Sequence, residues 1–140
     1  MNDPSKLLSL MPFAVKLGIE LDVATAERVT GRLPWSADLC TSGGVLHGGA
    51  LIALGDTLGG VCAYLNLPSG AGTATITSAT NMIRAVRDGE VLGEARPLHV
   101  GRTIIAVQTE LRDPSDRLVA QVTQTQAVLT AHRSSGPPAD

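Results

Sequence analysis

Aromatic residues and excess charge are both scarce in this chain. Its 140 residues include one Phe, one Trp and one Tyr, and the formal net charge is -2. The sequence pI is about 5.9. Proteins that bind nucleic acids usually carry a basic surface and aromatic side chains on which bases stack. The composition therefore argues against a nucleic-acid partner.

Cysteine and histidine are also sparse, and their spacing matches no metal site. Cys40 and Cys62 stand alone, and His47, His99 and His132 lie far apart in the chain. None of them forms the ligand spacings that hold zinc. We therefore expect neither a metal ion nor another cofactor.

Several catalytic and targeting signatures are missing as well. The chain has no G-x-S-x-G nucleophile elbow, and "SGGVLHGG" lacks the Lys-Ser/Thr pair of a phosphate-binding loop. The N-terminus lacks the basic segment and the long apolar run of a secretory signal. A cytoplasmic location is the resulting expectation.

Enough apolar residues are present for one core. Hydrophobic residues make up 44% of the chain and charged residues 17%, as expected of a single globular domain. We place that domain at residues 1–131. The last segment, "HRSSGPPAD" at 132–140, is expected to be a disordered tail.

The order of local patterns predicts an α+β fold. Asp3 and Pro4 begin a short helix that we expect to end near Pro12, and two strands follow in "LGIELDV" and "RVTGRL". After a long loop and a long helix, four consecutive strands are expected in "TATITSATNMI", "EVLGEARPLHV", "TIIAVQTEL" and "RLVAQVTQTQAVL". A meander of these strands in an antiparallel sheet would wrap around the helix.

The long helix, residues 45–65, is apolar on every side and holds one acidic residue, Asp56. A helix of this kind belongs in a protein core. A membrane span is the competing interpretation, but five glycines, an aspartate and the lack of basic flanking residues argue against it. Each glycine weakens the helix by roughly 1 kcal/mol, so we expect these glycines to admit a close neighbour or ligand.

Asp56 and the residues just before the helix each allow two interpretations. A carboxylate among apolar residues is costly and typical of a functional site, but Asp56 could also cap a helix break or face solvent. His47 could simply hydrogen-bond the first turn. Gly48 and Gly49 place unhindered N–H groups at a helix N-terminus, and such groups can hold an anion or a developing oxyanion. Alternatively, the two glycines only allow tight packing.

The pattern "HGG", with an acid nine residues after the histidine and four predicted strands to follow, resembles the hotdog-fold acyl-CoA thioesterases. The likeness is greatest to the phenylacetyl-CoA (PaaI-type) and 4-hydroxybenzoyl-CoA thioesterase branch, and it covers residues 17–129. "NMIRAV" and "VGRTIIAV" are similar to further segments of that family. The resemblance implies a hotdog fold, an antiparallel sheet wrapped around a long central helix. It also implies hydrolysis of acyl-CoA to a free acid and coenzyme A.

The resemblance further implies roles for individual residues. Asp56 would be the general base or the nucleophile, and the Gly48 N–H would polarise the thioester carbonyl. His47 would orient that end of the helix. Thr75 stands where some relatives carry a serine that positions water, and Thr41 replaces an amide that the family often has six residues before the histidine.

Binding of coenzyme A needs cations for its phosphates. The candidate contacts are Gly49, Gly101 and three arginines, Arg84, Arg87 and Arg102. Each arginine is equally consistent with an ordinary solvated residue at a strand end. Gly60 stands where the hydroxybenzoyl branch can have Thr, which argues against a simple transfer of that branch's substrate.

One chain alone does not complete the implied site. On one continuous helix, Gly48 and Asp56 would lie about 12 Å apart along the axis, too far for both to reach one carbonyl. Two such helices packed antiparallel about a two-fold axis, with their glycines permitting the close approach, would form shared sites in a homodimer, and we expect a dimer of such dimers. The alternatives are a non-catalytic acyl-CoA-binding hotdog protein and a hotdog dehydratase or hydratase, although the "HGG" and acid spacing weighs against the dehydratase or hydratase.

Overall fold

The computed structural model describes residues 2–130, which form a six-stranded antiparallel sheet with one long helix packed on it. This arrangement confirms the predicted α+β class. The α-helices and strands are α1 (Pro4–Ser9), α2 (Pro12–Leu17), β1 (Glu20–Ala24), β2 (Val29–Pro34), α3 (Gly48–Leu65), β3 (Gly72–Met82), β4 (Glu90–Val100), β5 (Ile104–Arg112) and β6 (Leu118–Leu129), and two short 3₁₀ helices, Ala37–Leu39 and Ser42–Gly44, lie in the loop before α3. The predicted tail at 132–140 lies outside the described residues.

The strand order differs from the predicted meander. Strands β4, β5 and β6 are neighbours, but β3 pairs with β6 at the sheet edge, giving the order β1-β2-β4-β5-β6-β3. Residues 83–89 lead back from that edge to β4; Val86 is buried there, and its carbonyl accepts the Leu46 N–H at 2.8 Å. The meander prediction is wrong because sequence patterns reveal the strands but not which strands are neighbours.

The core lies between the sheet and α3. Inward-facing side chains alternate along β4 and β5, where Val91, Val107 and Leu111 are fully buried. From the helix, Leu54 and Leu58 are equally buried. Removing such a side chain from water contributes roughly 1.5–3 kcal/mol each. These contacts hold one face of α3 firmly on the sheet.

The opposite face of α3 is not covered in a single chain. Nine of its 18 residues are buried, whereas Gly49, Ile52, Asp56 and Tyr64 form an exposed stripe at helical spacing. The prediction of burial on every side is therefore wrong for one chain, because the sheet covers only one face. By length and composition Gly48–Leu65 could cross a membrane, but half of it is buried inside the fold.

Two glycines of α3 face β6. A Cβ on Gly55 would lie 2.5 Å from Cγ2 of Val122, and a Cβ on Gly59 would overlap the side-chain amide of Gln124. Contacts this short leave no room for a methyl group. Gly55 and Gly59 thus allow β6 of the same chain to pack closely against α3. The expectation that they allow a second helix to approach is wrong for both glycines.

The N-terminal segment contains one helix more than predicted. Asp3 caps α1, its carboxylate accepting the Ser5 N–H at 3.0 Å, as expected. Pro12 then begins α2, because proline suits the first position of a helix as well as a position just after one. Gly18, with φ of 86°, ends α2 in the left-handed conformation.

Candidate active site

The N-terminus of α3 is fixed by contacts around His47. An antiparallel bridge joins Cys40 to Leu46, and the His47 N–H donates to the Leu39 carbonyl at 2.8 Å. The His47 Nδ1 accepts the Gly49 N–H at 2.7 Å and so caps the helix. Because Nδ1 is the acceptor, the proton of the neutral ring lies on Nε2.

The two glycines after His47 have different roles. A Cβ on Gly49 would lie 2.9 Å from the His47 Nδ1, so glycine permits the cap, and the cap uses the Gly49 N–H. The Gly48 N–H, in contrast, donates to no acceptor among residues 2–130. As the first residue of α3, Gly48 lies at the positive end of the helix dipole. Gly48 therefore offers the free donor.

Asp56 lies in the middle of α3 on the exposed stripe. Within the described chain its carboxylate takes part in no hydrogen bond or ion pair. Although the residue is exposed, partial desolvation of its carboxyl group against α3 raises the pKa of Asp56 above the usual aspartate range. No group of three or more His, Cys, Asp and Glu residues suited to a metal ion occurs between residues 2 and 130. Asp56 is thus a lone carboxylate that the fold leaves available.

The structure does not bring Gly48 and Asp56 together within one chain. Both lie in the continuous helix Gly48–Leu65, so the helical rise separates them by about 12 Å along the axis. One carbonyl cannot contact both groups at hydrogen-bond distance.

Thr75 belongs to a row of polar side chains that leads to α3. The Gln126 Nε2 donates to Thr75 Oγ1 at 2.8 Å and to Gln124 Oε1 at 2.9 Å. The Gln124 Nε2 in turn donates to the Gly55 carbonyl at 3.4 Å, one residue before Asp56. Both glutamines are buried. The row therefore connects the edge strand β3 to α3.

Sequence reasoning missed these two glutamines, although a signal was present. In "QVTQTQ" the residues Gln124 and Gln126 share the alternate positions of Val122, and alternate residues of a strand face the same side. Two amides on the inward face of a core strand must find buried partners. The pattern therefore marks a polar feature inside the fold.

Thr41 lies in the exposed loop just before α3. Its backbone N–H donates to the Val45 carbonyl at 2.8 Å, and the bridge between Cys40 and Leu46 holds the two ends of this loop together. The Thr41 hydroxyl has no hydrogen-bond partner within residues 2–130. The loop thus presents this hydroxyl near the start of the helix.

Arg87 supports the same loop. Its Nη1 donates to the Gly43 carbonyl at 3.1 Å, while its side chain is exposed. The sequence suggested that Arg87 either contacts a phosphate or is an ordinary surface residue. Neither interpretation predicts the hydrogen bond to Gly43.

Arg84 and Arg102 lie at opposite ends of β6. The Arg84 N–H donates to the Val119 carbonyl, whereas Gly101 and Arg102 form the β4–β5 turn, whose Thr103 carbonyl accepts the Val128 N–H. At about 3.3 Å per residue these two points are roughly 30 Å apart. A single chain therefore does not gather both arginines around one phosphate group.

Comparison with known proteins identifies the family. The thioesterase superfamily pattern matches residues 43–120, which include the helix α3 and the predicted site residues from Gly48 to Arg102. The match covers more than half of the chain. The chain belongs to the thioesterase superfamily.

Individual relatives agree with this assignment. The Haemophilus influenzae thioesterase HI1161 superposes with a TM-score of 0.88 over 95% of this chain and 96% of that chain, at 27% identity. The Bacillus subtilis esterase ComA2 is 34% identical over 115 residues, 81% of this chain and 90% of the relative. The Escherichia coli 1,4-dihydroxy-2-naphthoyl-CoA hydrolase is 34% identical over 86 residues, 61% of this chain and 63% of the relative. The predicted hotdog architecture and the thioester hydrolase class are both confirmed.

The geometry of this thioesterase suits acyl transfer to water. Cleavage of a thioester needs a group that activates water or attacks the carbonyl, and a donor that holds the developing oxyanion. Among residues 2–130, the Asp56 carboxylate and the Gly48 N–H at the start of α3 have no hydrogen-bond partner. One chain does not place both at one carbonyl.

Proposed function

We propose that this thioesterase hydrolyses acyl-CoA to a free acid and coenzyme A, with Asp56 as the catalytic carboxylate. One observation carries the proposal: Asp56 lies on the exposed stripe of α3 with no partner for its carboxylate among residues 2–130, in a chain whose family cleaves thioesters. Its raised pKa makes the ionised form a stronger base than an ordinary aspartate.

The reaction needs only groups of the protein and a water molecule. As a general base, Asp56 takes a proton from water while the water oxygen bonds to the thioester carbon. The carbonyl oxygen becomes an oxyanion held by the Gly48 N–H, and collapse of this intermediate breaks the C–S bond. As a nucleophile, the carboxylate would instead form an anhydride that water then cleaves. The thiolate leaves readily because thiol pKa values lie near 8.5.

The donor and the base come from two subunits in this proposal. A two-fold axis that packs two copies of α3 antiparallel would place Gly48 of one chain opposite Asp56 of the other. The exposed stripe of α3 supports this arrangement because it leaves Ile52 and Asp56 uncovered in a single chain. Each dimer then contains two equivalent sites.

The edge strand β3 supports the same dimer. It is 11 residues long and carries no charged residue or proline, and in the part of the chain that the structure describes it pairs only with β6. Long edges without such protection pair readily with another strand. Antiparallel pairing of two β3 strands would extend the sheet across the two-fold axis. A dimer of such dimers remains a prediction from the family resemblance.

The two-fold axis would also shorten the distance between the arginines. Arg84 follows the C-terminal end of β3. Arg102 lies near the C-terminal end of β6, and that end of β6 pairs with the N-terminal end of β3. Antiparallel pairing sets these opposite ends side by side. Three strand spacings, about 14 Å, would then separate Arg84 of one chain from the Arg102 region of the other, within the span of one coenzyme A.

The identity of the thiol rests on related proteins. The E. coli relative is named as a CoA thioester hydrolase, which supports coenzyme A as the leaving group here. A cytoplasmic location and the lack of a cofactor remain predictions from the sequence.

Thiol release from a panel of acyl-CoA esters tests this proposal. Asp56→Asn should lower kcat by about 10²–10⁴-fold, the usual contribution of a general base, while the affinity for acyl-CoA stays close to that of the wild type. Asp116→Asn is the matched control, because this aspartate is exposed at a position with φ of 64°, which asparagine also accepts.

Other activities give other results in this assay. A non-catalytic binding protein would bind acyl-CoA without releasing thiol, and a dehydratase or hydratase would alter the acyl chain with the thioester intact. A kcat close to wild type in Asp56→Asn would remove Asp56 from the mechanism.

A further inference from the structure

An apolar groove lies between α1 and the second half of α3. Its volume is about 180 Å³. The lining residues are Leu7, Leu10, Met11, Gly60, Val61 and Tyr64. Among these side chains the phenolic hydroxyl of Tyr64 is the only oxygen or nitrogen atom.

The groove begins one helical turn beyond Asp56. Residues four apart lie on the same face of a helix, so Gly60 follows Asp56 along the exposed stripe at about 6 Å of axial rise. A Cβ on Gly60 would meet no atom within 4 Å. Glycine at this position therefore places no side chain between the carboxylate and the groove.

We infer that the acyl group of the substrate occupies this groove, and that the enzyme selects acyl groups that are apolar to their far end. The inference rests on the proposed function. The groove volume of about 180 Å³ is comparable to that of an engineered apolar cavity of about 150 Å³ that holds benzene. Acyl groups such as hexanoyl or benzoyl are of this size.

The exposure of the groove supports an apolar occupant. Leu10 is 72% exposed, although leucine gains free energy from burial. An acyl group in the groove would cover this side chain. A hydroxyl on the same acyl group would lose its water and find few partners, which costs free energy.

Paired substrates test the selectivity. 4-Methylbenzoyl-CoA and 4-hydroxybenzoyl-CoA have nearly the same shape, and an apolar pocket discriminates between such partners by up to about 100-fold. We expect kcat/KM to favour the methyl compound by 10-fold to 100-fold. We also expect hexanoyl-CoA to be preferred over acetyl-CoA by at least 10-fold.

Substitutions locate the selectivity in the groove. Gly60→Leu should fill the passage and lower the hexanoyl/acetyl ratio of kcat/KM at least 10-fold. Leu10→Ala should lower the same ratio, and because Leu10 is exposed this variant keeps its fold. Leu98→Ala is the matched control: Leu98 is 58% exposed on β4 and lies away from the groove, so the ratio should not change.

The possible outcomes separate this inference from the proposed function. If no acyl-CoA releases thiol, the proposed function is wrong and this inference falls with it. If the esters are hydrolysed but the hydroxyl compound is preferred, the inference alone is wrong. An unchanged hexanoyl/acetyl ratio in both Gly60→Leu and Leu10→Ala would overturn it as well.

Discussion

Asp56 is a carboxylate whose ionised form the fold disfavours. Burial raises its pKa, so the native state holds the proton to a higher pH than the unfolded chain does. The contribution of Asp56 to the free energy of unfolding is thus lost as the pH rises from its pKa in the unfolded chain through its raised pKa in the native state. Asp56→Asn, which has no charge to desolvate, should have a Tm equal to or above that of the wild type at pH 7–8. The difference should vanish at low pH, where Asp56 is protonated in both states.

Asp113 provides a control of opposite sign. Its carboxylate accepts the N–H groups of Arg117 and Ser115, both at 3.0 Å. These hydrogen bonds lower the pKa of Asp113, and the bond from the Arg117 backbone N–H has the largest effect. Asp113→Asn should therefore lower the Tm at pH 7 and lose this effect as the pH falls. Thermal unfolding of both variants between pH 3 and 8 measures the two trends, and a lower Tm for Asp56→Asn at pH 7 would contradict the first.

Thr41 tests whether the loop before α3 supplies a polar contact. Its hydroxyl is free among the described residues, and a hydroxyl could hold the carbonyl or the attacking water in place of an amide. Thr41→Val removes the hydroxyl but keeps the shape, and it should lower kcat by roughly 10-fold, or about 1.4 kcal/mol. Thr41→Asn should keep most of the activity. Identical kinetics for wild type and Thr41→Val would show that the position is not used.

At the scale of secondary-structure elements, the contact between α3 and β6 depends on Gly59. A Cβ there would displace the Gln124 amide and leave buried polar groups without partners, which costs about 1–3 kcal/mol. Gly59→Ala should therefore destabilise the fold by that amount. At Gly60 a Cβ meets nothing within 4 Å, so Gly60→Ala should stabilise the helix by up to about 1 kcal/mol. Urea unfolding at equal protein concentration measures the free energy of unfolding of Gly59→Ala and Gly60→Ala. Equal effects of the two substitutions would contradict this packing.

Most elements of the fold were predictable because local patterns determine them. The alternating strands follow from their periodicity and the helix to Leu65 from its long apolar run, and Asp3 with Pro4 marks the first helix. The place of β3 was not predictable, because pairing with β6 depends on contacts between distant parts of the chain. The second helix was missed because Pro12 can end one helix or begin another.

The candidate site was predictable in its residues but not in its geometry. A single acid in an apolar helix singles out Asp56, and "HGG" singles out the helix start. That His47 uses the Gly49 N–H and leaves the Gly48 N–H unbonded depends on a rotamer, which the sequence does not reveal. The two buried glutamines likewise became visible only when β6 was seen to face α3.

At the scale of the whole molecule, the proposed mechanism requires a second chain. Gly48 and Asp56 are held about 12 Å apart by one rigid helix. Within residues 2–130, the uncovered stripe of α3 and the free edge of β3 are the surfaces that the proposed second copy would cover. A shared site predicts a behaviour that no single-chain site produces, namely recovery of activity from two inactive variants.

Gly48→Pro and Asp56→Asn form the complementing pair. Proline is acceptable at the first helical position, and His47, with φ of -60° and ψ of 135°, has the conformation favoured before proline. Gly48→Pro thus removes the oxyanion donor, Asp56→Asn removes the base, and each variant alone should be nearly inactive.

Mixing the two variants distinguishes the two kinds of site. If equal amounts are unfolded and refolded together, half of the dimers are mixed. Each mixed dimer holds one site with an intact Gly48 from one chain and an intact Asp56 from the other. About a quarter of wild-type activity should return. If each site lies within one chain, every site in a mixed dimer keeps a defect and no activity returns. That second result, with mixed dimers verified by mass spectrometry and native folding of both variants, would rule out the shared site.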